Sequence, residues 1–418
     1  MVKVRSLPEK CLSLLVYRDL LDDPVLLAFR TALSALDRPE IAAASYSEWF
    51  SELAKRNQGW RDYLLNRILA SENPLTYQLR RGEIFKELME AAKHDLRILQ
   101  RFYECGSQRF YQLMKHKTAP WVDYIPDTAS SLRQTQIRQI QKQLESLEDW
   151  SIALPELIEF YRRFGTGVFA EYRAFRWQDG QLNAIANPDP IQVDALVGYE
   201  TQRDTLLRNT EFLLAGLPAL HILLYGSRGS GKSSLVKSLL GKYENLRLIE
   251  VPKSELKALP TIVERLRDLP QKFVIFVDDL SFEEDDDAYK ALKVVLEGNL
   301  TARPQNVVVY ATSNRRHLIR EFFDDRPRPK DADEVHHWDT VQEKLSFSDR
   351  FGLTLTFEPA DQTTYLKIVH HLASQAQIEL STEDLEFRSL QWATRHNGRS
   401  GRTARQFIDF LKAELTVS

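Results

Sequence analysis

The sequence predicts an all-α N-terminal domain, followed by an α/β core with a five-stranded parallel sheet that is closed by a C-terminal helical lid. Three observations predict this. Apolar residues recur at helical spacing through residues 1–165. Short β-rich runs then alternate with helical runs over 196–358. Helical periodicity returns alone over 359–418. A chain of 418 residues accommodates this, since domains average roughly 100–200 residues.

In the first part the helical segments include LSLLVYRDLL, PVLLAFRTALSAL and GEIFKELMEAAKHDLRILQRFYE, and proline and glycine fall mostly between segments. The aromatics Trp49, Trp60, Tyr103, Phe110, Tyr111 and Trp121 have two readings, a packed core or a surface for a protein partner. Core packing is favoured, because large aromatics are usually buried. Residues 166–195 read as a linker with one or two short strands. They begin within Gly165-Thr166-Gly167 and contain a turn at Asp179-Gly180, with Pro188 and Pro190 beyond. From 196 the strands are HILLY (221–225), LRLIEV (246–251), KFVIFVD (272–278), NVVVYAT (306–312) and LTLTF (353–357). Fully apolar strands joined by helical crossovers imply a parallel sheet covered on both faces. In the lid, Ser381 with Asp384 offers a capping box, Asn397-Gly398 closes that helix, and a third helix runs from about Arg402.

Composition excludes several classes. With 43% hydrophobic and 28% charged residues the chain is not disordered as a whole. No run approaches the ~18 apolar residues of a membrane span. Glu9 and Arg18-Asp19 interrupt the N-terminal apolar stretch, so it reads as a helix rather than a signal peptide. Cys11 and Cys105 exclude a disulfide framework or a cysteine-built zinc site, and a cytoplasmic location is expected. A formal charge of −3 excludes a basic nucleic-acid coat.

The chemistry is carried by glycine where glycine is scarce. The chain has 16 glycines, yet three fall in Gly226-Ser227-Arg228-Gly229-Ser230-Gly231-Lys232-Ser233, with Ser234 following. This is G-x-x-x-x-G-K-[ST] between an apolar strand and a helix, the context the motif requires. Glycines let the backbone approach phosphate oxygens, and N–H groups at a helix N-terminus surround them. Lys232 then supplies a point charge to the β/γ-phosphates and Ser233 a hydroxyl to Mg²⁺.

The next apolar strand but one, FVIFVDD, ends in two carboxylates: Asp278 suits Mg²⁺ and Asp279 the attacking water. Asn314, after VVVYATS, is placed to orient that water, though an asparagine there is also a common turn residue. Arg350, in SFSDRFGLTLTF, offers a planar fork suited to phosphate, or a surface ion pair with Asp349 or a similar acid. In the lid, Arg395, Arg399, Arg402, Arg405 and Lys412 outnumber Asp409 and Glu414. Three readings stand: an arginine reaching back to a nucleotide, a nucleic-acid patch, or a solvated basic helix.

In this order the motifs resemble the AAA+ ATPases. VGYE, LLYGSRGSGKSS, VDDLSF, HHWDTVQEKLSFSDRFGL and GRSGRTARQF are similar to those of a bacterial group of predicted AAA+ ATPases of unassigned role, over residues 190–418. The resemblance implies ATP and Mg²⁺ as cofactors and an ATP hydrolase. Lys232 and Ser233 match the Walker A pair, Asp278 the Walker B aspartate and Asn314 the first sensor. Arg350 matches a finger acting in trans within a homo-oligomer. Arg402 matches the second sensor, with Arg405 its rival one helical turn along.

The chain departs from the pattern at two places. Asp279 stands where glutamate is usual, and VPKSELKALPT lacks the aromatic and glycine of a peptide-threading loop. Remodelling or loading of a macromolecular partner, bound through the helical N-terminal domain, is the leading expectation. A low-turnover nucleotide switch is the alternative. A DNA-associated ATPase is third, nucleic acid being possible but not favoured.

Overall fold

The computed structural model describes residues 7–82, 84–114, 132–189, 191, 197–282, 287–297, 303–314, 346–396 and 398–417. Trp121, Asn397 and all of the HHWDTVQEK stretch lie outside them. Contacts divide the chain into two compact units, 1–171 and 172–418.

The described part of the first unit is helical: α1 (Leu7–Cys11), α2 (Pro24–Ser34), α3 (Pro39–Lys55), α4 (Trp60–Ala70), α5 (Pro74–Arg81), α6 (Lys86–Glu104), α7 (Ser107–Leu113), α8 (Leu132–Ser146), α9 (Leu154–Phe164) and α10 (Val168–Glu171). Prolines open α2, α3 and α5, where a missing N–H costs nothing. Asp23 caps α2 by accepting from the N–H groups of Val25 and Leu26 at 3.0 and 3.1 Å. The core reading of the aromatics holds for Trp49, Trp60, Tyr103 and Phe110, which are buried. The Phe29 ring lies 4.7 Å from Trp49 and 4.3 Å from Trp60. A carboxylate is buried there too. Asp95 Oδ2 accepts from the N–H groups of Leu15, Val16 and Tyr17 at 2.9, 2.7 and 3.0 Å.

The second unit contains β1 (Ala174–Gln178), β2 (Gln181–Ile185), α11 (Glu200–Leu214), β3 (Ile222–Gly226), α12 (Lys232–Lys242), β4 (Leu246–Glu250), α13 (Leu259–Leu266), β5 (Lys272–Val277), α14 (Asp287–Glu297), β6 (Val307–Ser313), β7 (Leu353–Phe357), α15 (Gln362–Gln375), α16 (Thr382–Arg395) and α17 (Gly401–Val417). The sheet has seven strands rather than the expected five, in the order β2-β1-β4-β5-β6-β3-β7. The two additional strands come from the 166–195 segment. β1 and β2 pair antiparallel around the Asp179-Gly180 turn, and β1 then adds in parallel to β4, through Ala174–Leu248 to Arg176–Glu250. The five apolar strands are parallel throughout.

This is a mixed α/β core with a mostly parallel sheet, followed by three C-terminal helices at the place of the expected lid. β3, which carries the glycine loop, lies between β6 and β7. The loop therefore opens at the carboxyl ends of the parallel strands, where open α/β sheets bind ligands. The lid helices close on their own core of Tyr365, Val369, Leu372, Phe407 and Leu411. Ser381 caps α16 by accepting from the N–H of Asp384 at 3.2 Å.

Candidate nucleotide site

The glycine loop is anchored where it begins. Gly226 has φ 140°, and a Cβ there would sit 1.9 Å from the Phe357 carbonyl oxygen, so only glycine fits beside β7. The next residue, Ser227, donates its N–H to that same oxygen at 3.0 Å. Gly231, at φ 90°, is the N-cap of α12, which makes Lys232 and Ser233 the first helical residues and aims their N–H groups out of the loop. Lys232 is 6% exposed. Its Nζ donates to the carbonyls of Gly226 and Ser227 at 3.0 and 2.7 Å and to Asn314 Oδ1 at 3.2 Å. Burial lowers its pKa, the carboxylates of Asp278 and Asp279 oppose that shift, and the Arg402 charge adds to it. A buried ammonium solvated by three neutral oxygens is suited to exchange them for anionic ones.

β5 delivers Asp278 and Asp279 beside the loop. Asp278 Oδ1 accepts from Ser233 Oγ at 2.6 Å and from Thr312 Oγ1 at 2.5 Å. Asp279 Oδ1 accepts from Asn314 Nδ2 at 2.7 Å. The structure thus joins Lys232, Asn314 and Asp279 in one chain of hydrogen bonds, and Ser233, Asp278 and Thr312 in another. The Ser233 hydroxyl and the Asp278 carboxylate form a convergent pair of hard oxygen donors. That pair fits Mg²⁺, which takes one or two protein oxygens and completes its shell with phosphates and water.

These residues line a cleft of about 1160 Å³. Its polar walls include Arg228, Gly229, Ser230 and Ser234 along with the groups above, and its apolar walls include Ile191, Val197, Ile368 and Leu372. Tyr199, from the VGYE segment, also faces the cleft, with its hydroxyl fixed to the Glu358 carbonyl at 2.7 Å. From α17 both Arg402 and Arg405 line it, so both rivals for the lid arginine are in reach. Arg402 also donates its N–H to the Gly229 carbonyl at 3.1 Å.

Arg350 is not among the residues that line the cleft. It forms an ion pair with Glu297, at the end of α14, and its side chain is 17% exposed. The alternative of an ion pair with Asp349 or a similar acid is met here by Glu297. Sequence reasoning missed Thr312, although a signal existed. Side chains two apart on a strand share a face, so Thr312 shares that of Asn314.

A family model described as "Protein of unknown function (DUF815)" matches residues 170–415. The chain belongs to this family. The DUF815 match covers the whole seven-stranded sheet, the cleft and most of the lid. A probable spastin homolog of Brugia malayi is 25% identical over 160 residues, 32% of this chain and 35% of that protein. The chain therefore spans about a third of the curated relative it matches. Among solved structures, a RuvB variant of Thermotoga maritima is similar with a TM-score of 0.39 and 18% identity, over 55% of this chain and 66% of that one. A second Thermotoga maritima RuvB, described as a Holliday junction branch migration motor, gives a TM-score of 0.36 and 17% identity over 55% and 66%. Among the described residues no helix is long and apolar enough to cross a membrane.

Proposed function

We propose that the cleft binds Mg²⁺-ATP and that the chain hydrolyses it, coupling turnover to the remodelling or loading of a macromolecular partner. The observation that carries this reading is the 2.6 Å bond from Ser233 Oγ to Asp278 Oδ1, which closes the glycine loop onto the carboxylates in a cleft also lined by the lid. In this reading the loop N–H groups and Lys232 hold the phosphates. Ser233 and Asp278 hold Mg²⁺, which when bound neutralises charge on the β- and γ-phosphates. Asp279 and Asn314 orient the attacking water. Arg402 or Arg405 reaches the phosphates from the lid, and Arg350 serves the cleft of a neighbouring subunit in a homo-oligomer. The helical N-terminal unit carries the partner, in the cytoplasm.

A low-turnover switch is the second reading, favoured by one observation: Asp279 Oδ1 is already engaged by Asn314 at 2.7 Å. Titration with a fluorescent ATP analogue, with and without Mg²⁺, tests the shared part of both readings. Wild type binds more tightly with Mg²⁺, and Asp278→Asn loses most of that Mg²⁺ dependence. Equal Mg²⁺ dependence in the two proteins contradicts the assignment. Turnover that rises when a partner is added favours the remodeller over the switch.

A further inference from the structure

Asp279 is one of four non-glycine residues with positive φ among the described residues, at 50°. The other three, Asn57, Asp179 and Gln377, follow a helix or sit in the β1–β2 turn, where such residues are ordinary. Asp279 is instead at the end of a central strand and in the wall of the cleft. A left-handed backbone at such a position persists only where its surroundings hold it.

Thr312 holds it together with the Asp278 carboxylate, whose Oδ1 also accepts from the Asp279 N–H, at 3.2 Å. Thr312 Oγ1 donates to Asp278 Oδ1 at 2.5 Å and accepts from the Asp279 N–H at 3.0 Å. Its carbonyl accepts from the Leu280 N–H at 2.7 Å. A single buried residue of β6 therefore pins three consecutive residues after β5: the first by its carboxylate, the next two by their amides. Threonine suits the task because its β-branch restricts the hydroxyl's rotamers. Only a hydroxyl both donates to a carboxylate and accepts from an amide in this way.

We propose that Thr312 is a positioning residue for the hydrolytic site, and that residue 279 is an aspartate because Thr312 holds its backbone left-handed. Aspartate and asparagine tolerate this conformation better than longer side chains do, and the Asp279 carboxylate is held by Asn314 Nδ2, which donates to its Oδ1 at 2.7 Å. A glutamate here carries an extra methylene from a backbone that disfavours it, and its carboxylate overshoots Asn314. The aspartate in place of the usual glutamate is then matched to the backbone, and is not a defect in reach.

This inference rests on the ATPase reading and makes the opposite prediction from a simple shortage of reach. The experiment uses the full chain, steady-state ATP hydrolysis and Mg²⁺ titration, with Thr312→Val, Thr312→Ser and Asp279→Glu. Losing the hydroxyl removes one charge-assisted bond and one amide bond, so Thr312→Val lowers kcat by about tenfold or more. It also raises the Mg²⁺ needed for half-maximal rate, while KM for ATP changes little. Thr312→Ser, which keeps the hydroxyl, recovers most of the rate, a result that a packing role for the methyl group does not give. Asp279→Glu is slower than wild type.

Two results overturn the inference: a Thr312→Val protein with unchanged kcat and Mg²⁺ requirement, or an Asp279→Glu protein faster than wild type. The second stands even if Thr312→Val does not fold. A Lys232→Ala control separates the two levels. If it binds and turns over ATP like wild type, the ATPase reading itself fails. If it is inactive while Thr312→Val behaves as wild type, only the role of Thr312 fails.

Discussion

Lys232 in the cleft and Asp95 in the helical unit are both buried charges, and they are held in opposite ways. Asp95 is 0% exposed, and its carboxylate is wrapped by three successive main-chain N–H groups from residues 15–17. Those donors belong to the fold, and they cannot leave without opening the turn that carries them. Lys232 is held by two carbonyls of its own loop and by Asn314, none of them charged. An anion offers the ammonium more than those dipoles do. Burial of charge therefore does not by itself mark a site. The identity of the partners, and whether they are exchangeable, separates a structural staple from a binding group.

Arg350 tests this comparison hardest, because its charge is paired by Glu297 and lies outside the cleft lining. If it is a finger acting in trans, it is worth ~10³–10⁵ in rate. Arg350→Ala then binds ATP normally and hydrolyses it slowly at every protein concentration. Mixing it with Lys232→Ala restores part of the activity, since a Lys232→Ala neighbour lends its arginine to the intact glycine loop of an Arg350→Ala subunit. No rescue, together with wild-type turnover that is independent of concentration, makes Arg350 a structural charge like Asp95.

The next effect in size belongs to Asp95 itself. Asp95→Asn turns one acceptor into a donor facing N–H groups, and costs about 3 kcal/mol of stability by chemical denaturation. Nucleotide affinity stays as in wild type. An unchanged denaturation midpoint shows that the turn does not depend on the charge.

The smallest effect near neutral pH sharpens the comparison with a buried group that avoids charge altogether. His221, just before β3, accepts from the Val309 N–H through Nδ1 at 2.9 Å. Burial, with the nearby Arg303 charge, pushes its pKa from 6.5 down to about 3. The unfolded chain binds a proton there that the folded chain refuses. Stability is therefore complete above pH 6.5 and is lost as pH falls toward 3, at about 1.4 kcal/mol per pH unit. His221→Asn, whose side-chain oxygen replaces Nδ1 as acceptor, flattens the slope by that amount. A slope identical to wild type means that His221 titrates normally in the folded protein.

What was legible in the sequence follows the same division. The glycine loop, the Asp278-Asp279 strand end and Asn314 were readable because each is a short motif on an apolar strand, and strand and motif predict each other. The hairpin of β1 and β2 was not readable as part of the sheet. Its residues are mixed in polarity, and the pairing with β4 joins segments far apart in the chain. Glu297 as the partner of Arg350 is likewise a product of tertiary packing. Thr312 lay in plain alternation with Asn314, yet its role depends on the left-handed backbone at Asp279, which no periodicity reports.

Thermal melting of three proteins, each with and without Mg²⁺-ATP, tests most directly the claim that Lys232 is an exchangeable buried charge and Asp95 a fixed one. At 100 times Kd, binding stabilises by about 2.7 kcal/mol. Wild type and Asp95→Asn show the same nucleotide-induced shift, although Asp95→Asn starts lower. Lys232→Ala starts near wild type and shows no shift. A full shift in Lys232→Ala, or a lost shift in Asp95→Asn, contradicts the account.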